Sequence, residues 1–316
     1  MKKKPLIILT GPTAVGKTKA SITLAKELGC EIISADSMQV YKMMDIGSAK
    51  ISEDEMEGVK HYLVDVLEPD EEFHVVRFQT MAKAAMDEIY AKGKIPLIVG
   101  GTGFYIQALL YDIDFTESNE DTAYRTELET IAKEKGAECL HSMLQEVDEK
   151  AAQDIHANNI KRVIRALEFH HQTGTKISEH NEVEREKSSP YNFCYFVLTD
   201  DREILYDRIN KRVDIMFENG LIEEVANLKT KGYTKDMVSM QGLGYKEILD
   251  YLNGEITLEE ATYILKRDTR HFAKRQLTWF RRERDVVWVD KSKFHRDEEE
   301  ILKYMKEELK ERNIIS

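Results

Sequence analysis

Short apolar runs alternate along much of the chain with longer stretches in which apolar residues recur every three or four positions. The apolar runs predict β-strands at Pro5–Leu9, Glu31–Ala35, His61–Val66, Ile95–Val99 and Tyr191–Leu198. Amphipathic stretches such as Phe78–Ala91 predict helices that pack against these strands. Strands that alternate with helices are typical of βαβ units, so the pattern predicts an α/β fold with a parallel sheet flanked by helices.

The pattern changes between residues 114 and 189, where strand-like runs are absent. Charged amphipathic stretches there predict helices at Tyr124–Lys135, Glu138–Val147 and Asn159–His171. We therefore expect a core domain formed by residues 1–113 and 190–316, interrupted by a mostly helical insertion domain formed by residues 114–189.

Composition narrows the class of protein. With 316 residues, of which 42% are hydrophobic, the chain can bury a substantial core. No apolar segment has the length of a membrane span, and the run after the basic start is too short for a secretory signal. Cys30, Cys139 and Cys194 lack the spacing of a zinc site and fit reduced thiols, so we expect a cytoplasmic protein. The net charge of −12 argues against binding of nucleic acid through overall positive charge, but it allows a local basic surface.

A glycine-rich motif follows the first predicted strand and precedes a helical stretch that runs to Leu28. Its residues are Gly11, Pro12, Thr13, Ala14, Val15, Gly16, Lys17 and Thr18. This is the spacing of a phosphate-binding loop, whose backbone N–H groups converge on phosphate oxygens at the start of a helix. Lys17 would neutralise a terminal phosphate, and the Thr18 hydroxyl would bind a Mg²⁺ ion that bridges the same oxygens. The motif predicts a core like that of P-loop NTPases and leaves the phosphate compound open, ATP or GTP being the usual ligands.

Two further loops follow predicted strands, and a parallel sheet brings such loops to one edge. Asp36 comes directly after Glu31–Ala35, where an Asp holds a metal, orients a ligand, accepts a proton or simply caps a turn. The glycine cluster Gly100–Gly103, which includes Thr102, follows Ile95–Val99. Such a cluster either brings the backbone close to a ligand or forms a tight packing turn. Both loops are candidate site segments beside the phosphate loop.

Arginine pairs at helical spacing are candidate phosphate ligands. Arg162 and Arg165 share one face of a predicted insertion helix, although such a face is also typical of a solvated surface. Arg208 and Arg212 lie one turn apart on the helix that follows Tyr191–Leu198, and either could reach the phosphate loop. The acidic residues after that strand predict a capped start for this helix.

The stretch from Lys266 to Arg284 is basic in an otherwise acidic chain, with eight Lys or Arg and two acidic residues among nineteen. On a helix, four of these cations fall within an arc of about 60°. They are Arg267, Arg270, Lys274 and Arg281, which we name the basic stripe, and the apolar residues on the opposite side are Leu265, Phe272, Ala273, Leu277 and Phe280. The arrangement favours a polyanionic partner over a solvated helix face.

Segments spread over nearly the whole chain resemble the tRNA dimethylallyltransferase family. They are Gly11–Thr18, Ser34–Tyr41, Met44–Gly47, Gly100–Gly103, Lys161–Glu168, Gln241–Tyr245, Thr269–Arg270, Phe272–Gln276 and Trp279–Phe280. The chain lacks the C-terminal zinc finger that eukaryotic relatives carry, so the resemblance is to the bacterial form.

The resemblance implies transfer of a dimethylallyl group from dimethylallyl diphosphate to N6 of adenosine 37, beside the anticodon of tRNAs that read codons beginning with U. The phosphate loop would then bind the diphosphate of the prenyl donor, and nucleotide hydrolysis would not be the reaction. Asp36 matches the family's catalytic base, Thr102 a residue near the reacting centre, and Arg212 an arginine near the diphosphate. Because adenosine 37 stacks within the anticodon loop, it must flip into a channel to react.

The resemblance also implies which residues contact tRNA. In the core they are Asp36, Ser37, Met38, Gln39, Thr102, Gln241, Gly242, Gly244, Tyr245, Arg267, Arg270, Lys274 and Arg281, and in the insertion they are Arg125, Lys161, Arg162, Val163, Ile164 and Arg165. Three positions depart from the family's usual residues. Ile160 and Lys161 stand where Pro and Gln are more usual, and His271 stands where many members have Arg.

Three other classes stay open on the residues alone. An adenine-nucleotide prenyltransferase would use the same loop, although the insertion and the basic stripe argue against so small an acceptor. A P-loop kinase or NTPase needs a metal-binding Asp at the end of a buried strand, and Asp65 fits a surface position better. The third class is an RNA-binding module with an inactive loop. For the prenyl transfer, Mg²⁺ is the expected cofactor, and a monomer that holds one tRNA stem-loop is the expected assembly.

Overall fold

The computed structural model describes residues 3–115 and 122–316. These residues fall into two compact units, one within Met1–Leu110 and Pro190–Ser316 and the other within Tyr111–Ser189. The first unit contains a parallel sheet with helices, and the second consists of helices.

The sheet of the first unit has six strands among the described residues, and every neighbouring pair is parallel. The strands are β1 (Lys4–Thr10), β2 (Glu31–Ala35), β3 (His61–Tyr62), β4 (Pro96–Gly100), β5 (Tyr191–Thr199) and β6 (Val286–Asp290). Their order across the sheet is β3-β2-β4-β1-β5-β6. Leu6–Leu9 of the central β1 are at most 1% exposed, as is typical of a parallel sheet that is covered on both faces. The predicted α/β fold is confirmed.

Strand β3 is much shorter than the predicted His61–Val66. Leu63 and Asp65 have φ values of 62° and 58°, which an extended strand does not allow. Asp65 instead forms an ion pair with Lys50 at 2.7 Å, and its side chain is 56% exposed. The chain therefore leaves the sheet after Tyr62.

The first half of the sheet unit contains four helices within the described residues: α1 (Lys17–Leu28), α2 (Glu53–Met56), α3 (Val75–Ala91) and α4 (Gly103–Leu110). Helix α1 begins directly after the glycine-rich loop, and Gly29 ends it with a φ of 65°. Buried residues of α1, including Leu24 and Ala25, pack in one cluster with Ile7 and Leu9 of β1. This packing sets the loop between β1 and α1 at the carboxyl end of the central strand.

The insertion unit consists of five helices among its described residues: α5 (Thr122–Lys135), α6 (Ala137–Val147), α7 (Glu149–Asp154), α8 (Ile160–Thr173) and α9 (Ile177–Glu186). Its core contains Leu128, Leu140, Leu144, Val163 and Leu167. Helices α7 and α9 were not predicted, since neither has a long apolar stripe. The buried Asp148 joins them, because its carboxylate accepts the N–H groups of Ala151 and Ser178 at 3.0 and 2.9 Å.

The second half of the sheet unit holds α10 (Arg202–Glu218), α11 (Leu221–Thr230), α12 (Tyr245–Leu252), α13 (Leu258–Phe280) and α14 (Glu298–Glu311). Short 3₁₀ helices lie at Ser239–Gln241 and Lys291–Phe294. Helix α10 follows β5 as predicted, but Asp201 makes no side-chain capping bond. Across residues 3–115 and 122–316, no helix combines the length and apolar character needed to span a bilayer.

Candidate active site

Three loops meet at the carboxyl edge of the sheet, as the order of the strands requires. Ala35, which ends β2, is in register with Gly100, which ends β4, and Gly100 is also in register with Thr10 of β1. The Thr10 hydroxyl donates to the Gly100 carbonyl at 2.7 Å, and the Thr102 N–H donates to the Ala35 carbonyl at 3.2 Å. The phosphate loop (Gly11–Thr18), the Asp36 segment (residues 36–50) and the second glycine loop (Gly100–Gly103) are therefore neighbours.

The phosphate loop has the curled backbone expected of an anion-binding loop. Gly16 has a φ of 98°, a conformation that residues with a Cβ rarely adopt, and Ala14 has a φ of 62°. The Lys17 ammonium folds back over the loop and donates to the carbonyls of Gly11 and Pro12 at 3.0 and 2.9 Å. The loop thus presents a lysine and the N-terminus of α1 on the same side.

Gln276 of α13 connects the phosphate loop to the second glycine loop. Its side-chain oxygen accepts the Thr13 N–H at 2.9 Å, and its side-chain nitrogen donates to the Gly101 carbonyl at 3.0 Å. The residue is only 5% exposed; its bond to Gly101 is buried and its bond to Thr13 is partly buried. Gln276 was not among the predicted site residues. One feature could have indicated it: Gln276 is a polar residue on the same buried side of α13 as Ala273 and Phe280.

Two cations and one carboxylate interact electrostatically at this edge. Burial lowers the pKa of Lys17 to about 8; the Asp36 charge opposes this shift and the Arg212 charge adds to it. Burial also lowers the pKa of Arg212, again opposed by Asp36. The Arg212 guanidinium lies 3.5 Å from the Thr13 hydroxyl. Before any ligand binds, the site has an excess of positive charge, which favours an anionic ligand.

Asp36 forms a turn that points its carboxylate toward this edge. Its Oδ1 atom accepts the N–H groups of Met38 and Gln39 at 2.9 and 3.3 Å. This is the Asx turn foreseen as one of the possible roles of Asp36. Thr102 sits at the start of α4, where its carbonyl accepts the N–H groups of Tyr105 and Ile106. Both residues are half-buried, so their side chains are accessible to a ligand.

Arg208, the second arginine considered for the phosphate site, is directed elsewhere. It donates to the buried Asp200 at 2.9 Å, and Arg296 donates to the other oxygen of the same carboxylate at 3.1 Å. Of the pair on α10, only Arg212 contacts the phosphate loop. A further cation, Lys291, lies behind the loop and donates to the Val15 carbonyl at 3.4 Å. Lys291 carried no recognisable sequence signal.

The site thus combines a phosphate-binding loop with a nearby carboxylate, Asp36. The model of the IPP transferase family matches residues 39–283, which is more than half of the chain. The chain belongs to this family. A curated tRNA dimethylallyltransferase of Lachnoclostridium phytofermentans is 62% identical over 312 residues, which cover 99% of both proteins.

Solved structures of IPP transferase relatives agree in fold. The full-length tRNA isopentenylpyrophosphate transferase of Bacillus halodurans is similar with a TM-score of 0.74 and 46% identity, over 98% of each chain. A eukaryotic dimethylallyltransferase acting on tRNA is similar with a TM-score of 0.78 and 30% identity, over 91% of this chain and 74% of that one. The P-loop-like core and the family resemblance inferred from the sequence are confirmed.

In this IPP transferase, the basic stripe lies on the outer side of the helix that carries Gln276. Arg267 pairs with Asp268 at 2.8 Å, and Arg270 donates to the Asn210 side chain at 2.6 Å. Lys274 and Arg281 are exposed. Of the apolar residues expected opposite the stripe, Leu265, Ala273 and Phe280 are buried, whereas Phe272 and Leu277 are only half-buried. Helix α13 therefore joins the anion site to a basic surface.

The resemblance implies that Gln241, Gly242, Gly244 and Tyr245 contact tRNA, and the structure buries the last two of them. Tyr245 is fully buried, and its hydroxyl donates to Glu224 at 2.8 Å. Gly244 is buried at the start of α12, whereas Gln241 is exposed. Gly242 lies against the methyl group of Met38. The side chain of Tyr245 therefore has a structural role in the interior and is not exposed to solvent.

The insertion residues of this family member divide between surface and core. Lys161 and Arg162 are exposed and Arg165 is half-buried, as a nucleic-acid contact requires. Val163 and Ile164 are 0% and 4% exposed within the insertion core, so their side chains cannot provide the expected contacts. Arg125 forms a two-point ion pair with the buried Glu168, at 2.9 and 3.0 Å. Arg125 therefore neutralises a buried carboxylate within the insertion.

Proposed function

We propose that this chain transfers a dimethylallyl group from dimethylallyl diphosphate to N6 of adenosine 37 in tRNAs that read codons beginning with U. The products are N6-(dimethylallyl)adenosine and diphosphate. The observation that carries the proposal is the position of Asp36, an accessible carboxylate whose charge acts on both Lys17 and Arg212 beside an anion-binding loop. A base next to a diphosphate site is what alkylation of a weakly nucleophilic amine requires.

The phosphate loop would hold the diphosphate of the prenyl donor. As the bond between C1 of the dimethylallyl group and the diphosphate oxygen breaks, negative charge collects on the leaving group. Loop N–H groups, Lys17 and Arg212 would stabilise that charge, since both cations lie at the loop. Gln276 would keep the loop in place through its bond to Thr13.

The Thr18 hydroxyl fits a role as a Mg²⁺ ligand. Thr18 directly follows Lys17 in the first turn of α1, and its side chain is exposed. A hydroxyl and phosphate oxygens are ligands that Mg²⁺ prefers. When bound, the ion would neutralise charge on the departing diphosphate.

Asp36 would act as the general base for the acceptor. Adenosine N6 attacks C1 of the dimethylallyl group, and one N6 proton passes to Asp36 as the new C–N bond forms. Both turn hydrogen bonds go to Oδ1, so Oδ2 is the oxygen placed to receive the proton. Thr102, in the neighbouring loop, would line the reacting centre.

The tRNA would be held by cationic surfaces while adenosine 37 is flipped out of its stack. In the sheet unit these are the basic stripe and its neighbours on α13, and in the insertion they are Lys161, Arg162 and Arg165. Ser37, Met38, Gln39 and Gln241 would border the flipped nucleotide. The side chains of Val163, Ile164 and Tyr245 are buried, so we do not propose that they contact tRNA. We further propose that the enzyme acts as a cytoplasmic monomer on one anticodon stem-loop.

The deciding experiment supplies radiolabelled dimethylallyl diphosphate and Mg²⁺ with unmodified bacterial tRNA in one reaction and AMP in another, both without ATP. We expect label in tRNA alone, mapped to adenosine 37 by nuclease digestion. Label only in AMP would identify an adenine-nucleotide prenyltransferase. Mg²⁺-dependent ATP turnover without any prenyl transfer would instead indicate a P-loop kinase or NTPase.

A further inference from the structure

A single carboxylate organises the loop that follows the proposed base. Glu224, on α11, accepts the backbone N–H groups of Asp45 and Ile46 on Oε2, at 2.9 and 2.7 Å. Its Oε1 accepts the Gly47 N–H at 3.1 Å and the Tyr245 hydroxyl at 2.8 Å. Hydrogen bonds to an ionised carboxylate are stronger than neutral ones, and here four converge on one side chain.

Tyr245 extends the same arrangement. Its hydroxyl oxygen accepts the Ser48 N–H at 3.1 Å while the hydroxyl donates to Glu224. The aromatic ring lies so close to Gly47 that a Cβ there would come within 2.6 Å of it. Successive backbone N–H groups from residue 45 to 48 are therefore all bound by α11 and α12. This explains why the motifs Met44–Gly47 and Gln241–Tyr245, distant in sequence, belong together.

The loop held in this way is linked directly to Asp36. The Gln39 side chain donates to the Ala49 carbonyl at 3.1 Å, and the Gln39 N–H donates to Asp36 Oδ1 at 3.3 Å. Lys50, whose side chain is 7% exposed, donates to the Tyr41 carbonyl at 2.6 Å and pairs with Asp65. The two ends of the Asp36 segment are thus joined to each other, and Glu224 anchors its far side.

From these contacts we infer that Glu224 is a positioning residue for the proposed prenyl transfer: it fixes residues 45–48 and, through Gln39, the orientation of the Asp36 carboxylate. The inference rests on the proposed function. A general base must be held within hydrogen-bonding reach of its proton, and a small displacement lowers the rate of the chemical step more than it weakens substrate binding. Glu224 contacts no substrate in this scheme and acts only through the loop.

The test uses the full-length protein with Glu224→Gln and, as the matched control, Glu223→Gln, which alters the exposed neighbouring residue on α11. The amide replaces one acceptor oxygen with a donor, so at least one loop N–H loses its partner. We expect kcat for tRNA prenylation to fall about 10- to 100-fold, with KM for dimethylallyl diphosphate within about twofold of wild type. Hydrogen exchange of the amides of residues 45–48 should accelerate, while exchange in the phosphate loop stays unchanged. Glu223→Gln should change none of these quantities.

Tyr245→Phe supplies a second variant, because it removes one of the four bonds to Glu224 and the bond to Ser48. If both side chains act through the same loop, the loss of kcat in the double variant will be smaller than the product of the single losses. A purely structural role predicts a lower unfolding midpoint with kcat unchanged per folded molecule, and that result would overturn the inference. Unchanged exchange at residues 45–48 would overturn it as well. If wild type itself fails to prenylate tRNA, the proposed function fails, and the exchange data alone then report whether Glu224 holds the loop.

Discussion

Gln276 and Thr13 are joined by a hydrogen bond of 2.9 Å although 263 residues separate them in the chain. The same side chain also donates to the Gly101 carbonyl, so one buried amide bridges the two glycine-rich loops. Glutamine suits this position because its amide offers an acceptor and a donor in one side chain. Its buried neighbours on α13, Ala273 and Phe280, are apolar, so on this side of the helix Gln276 supplies the hydrogen bonds to both loops.

Substitution of Gln276 should weaken binding of the diphosphate. Gln276→Glu keeps an acceptor for Thr13, loses the donor to Gly101 and adds negative charge beside the anion site. We expect pyrophosphate affinity, measured by titration calorimetry, to fall at least tenfold. Gln276→Met should lower the free energy of unfolding by about 1–3 kcal/mol, since a buried N–H and a carbonyl lose their partners. The exposed Gln145→Glu is the control, and wild-type affinity in Gln276→Glu would contradict the expectation.

Asp36→Asn tests the base while preserving the turn. The amide oxygen can still accept the N–H groups of Met38 and Gln39, so the backbone should stay in place. We expect kcat to fall about 10²- to 10⁴-fold, with tRNA affinity within about tenfold of wild type, because a base acts mainly in the transition state. Single-turnover rates and filter binding would measure the two quantities. Comparable transfer by the variant would rule out Asp36 as the base.

Binding of diphosphate should depend on pH through Lys17. Because burial lowers the pKa of Lys17 to about 8, the side chain loses its charge as the pH rises through that value. The protonated form binds the anion better, so pyrophosphate affinity should decline between pH 7.5 and pH 9.5, and binding should take up protons. Lys17→Arg, whose guanidinium stays charged, should lack this decline over the same range. A flat wild-type profile would show that Lys17 does not titrate there.

The basic stripe should contribute to tRNA affinity and to its dependence on salt. Lys274→Gln removes an exposed charge, whereas Arg270→Gln also removes the bond to Asn210. Each substitution should lower the magnitude of the slope of log affinity against log salt concentration by about one, the amount expected for one lost phosphate contact. The effect should be the same for every tRNA sequence. Lys303→Gln, on an exposed position of α14, is the control. Equal slopes in all four proteins would exclude the stripe from the tRNA contact.

The stability of helices α7 and α9 in the insertion should depend on the Asp148 carboxylate. Burial by itself raises the pKa of this carboxyl, but hydrogen bonds from Ser178 and Ala151 outweigh it, and the pKa lies below its usual value. A lowered pKa stabilises the fold above the unfolded-state value of about 4 and loses this effect as the pH falls. Asp148→Ala should therefore accelerate hydrogen exchange in α7 and α9 at pH 7, and less so near pH 3. Exposed Asp154→Ala is the control; equal exchange in both variants would contradict the prediction.

Five of the six described strands of the sheet unit were predicted, because an apolar run reflects burial within a sheet, whereas β6 at Val286–Asp290 was not predicted. Strand β2 was predicted with its observed bounds, and β1, β4 and β5 differ by one or two residues. The error at β3 arose from local backbone geometry, since an apolar run does not reveal that Leu63 takes a positive φ. Helices α7 and α9 are held by the polar contacts of Asp148, which periodicity does not detect.

The candidate site could be predicted only as far as short motifs extend. The phosphate loop was recognised because its motif follows a strand. Spacing made Asp36, Thr102 and Arg212 candidates, and the family resemblance selected them. Glu224 was missed because it functions through backbone N–H groups, which every residue has, so the sequence of its partner loop carries no matching signal. Tyr245 was expected to contact tRNA because of the family resemblance. The glycines beside it did not reveal that its side chain is buried, since glycine marks a close approach as often as a loop.

The bond between Thr13 and Gln276 also bears on how the protein is made. The ribosome releases the phosphate loop near the start of synthesis and helix α13 only near the end, so the anion site stays incomplete for most of translation. Strand β5, a neighbour of the central β1, likewise emerges late. A nascent or truncated chain without α13 would therefore lack the assembled anion site.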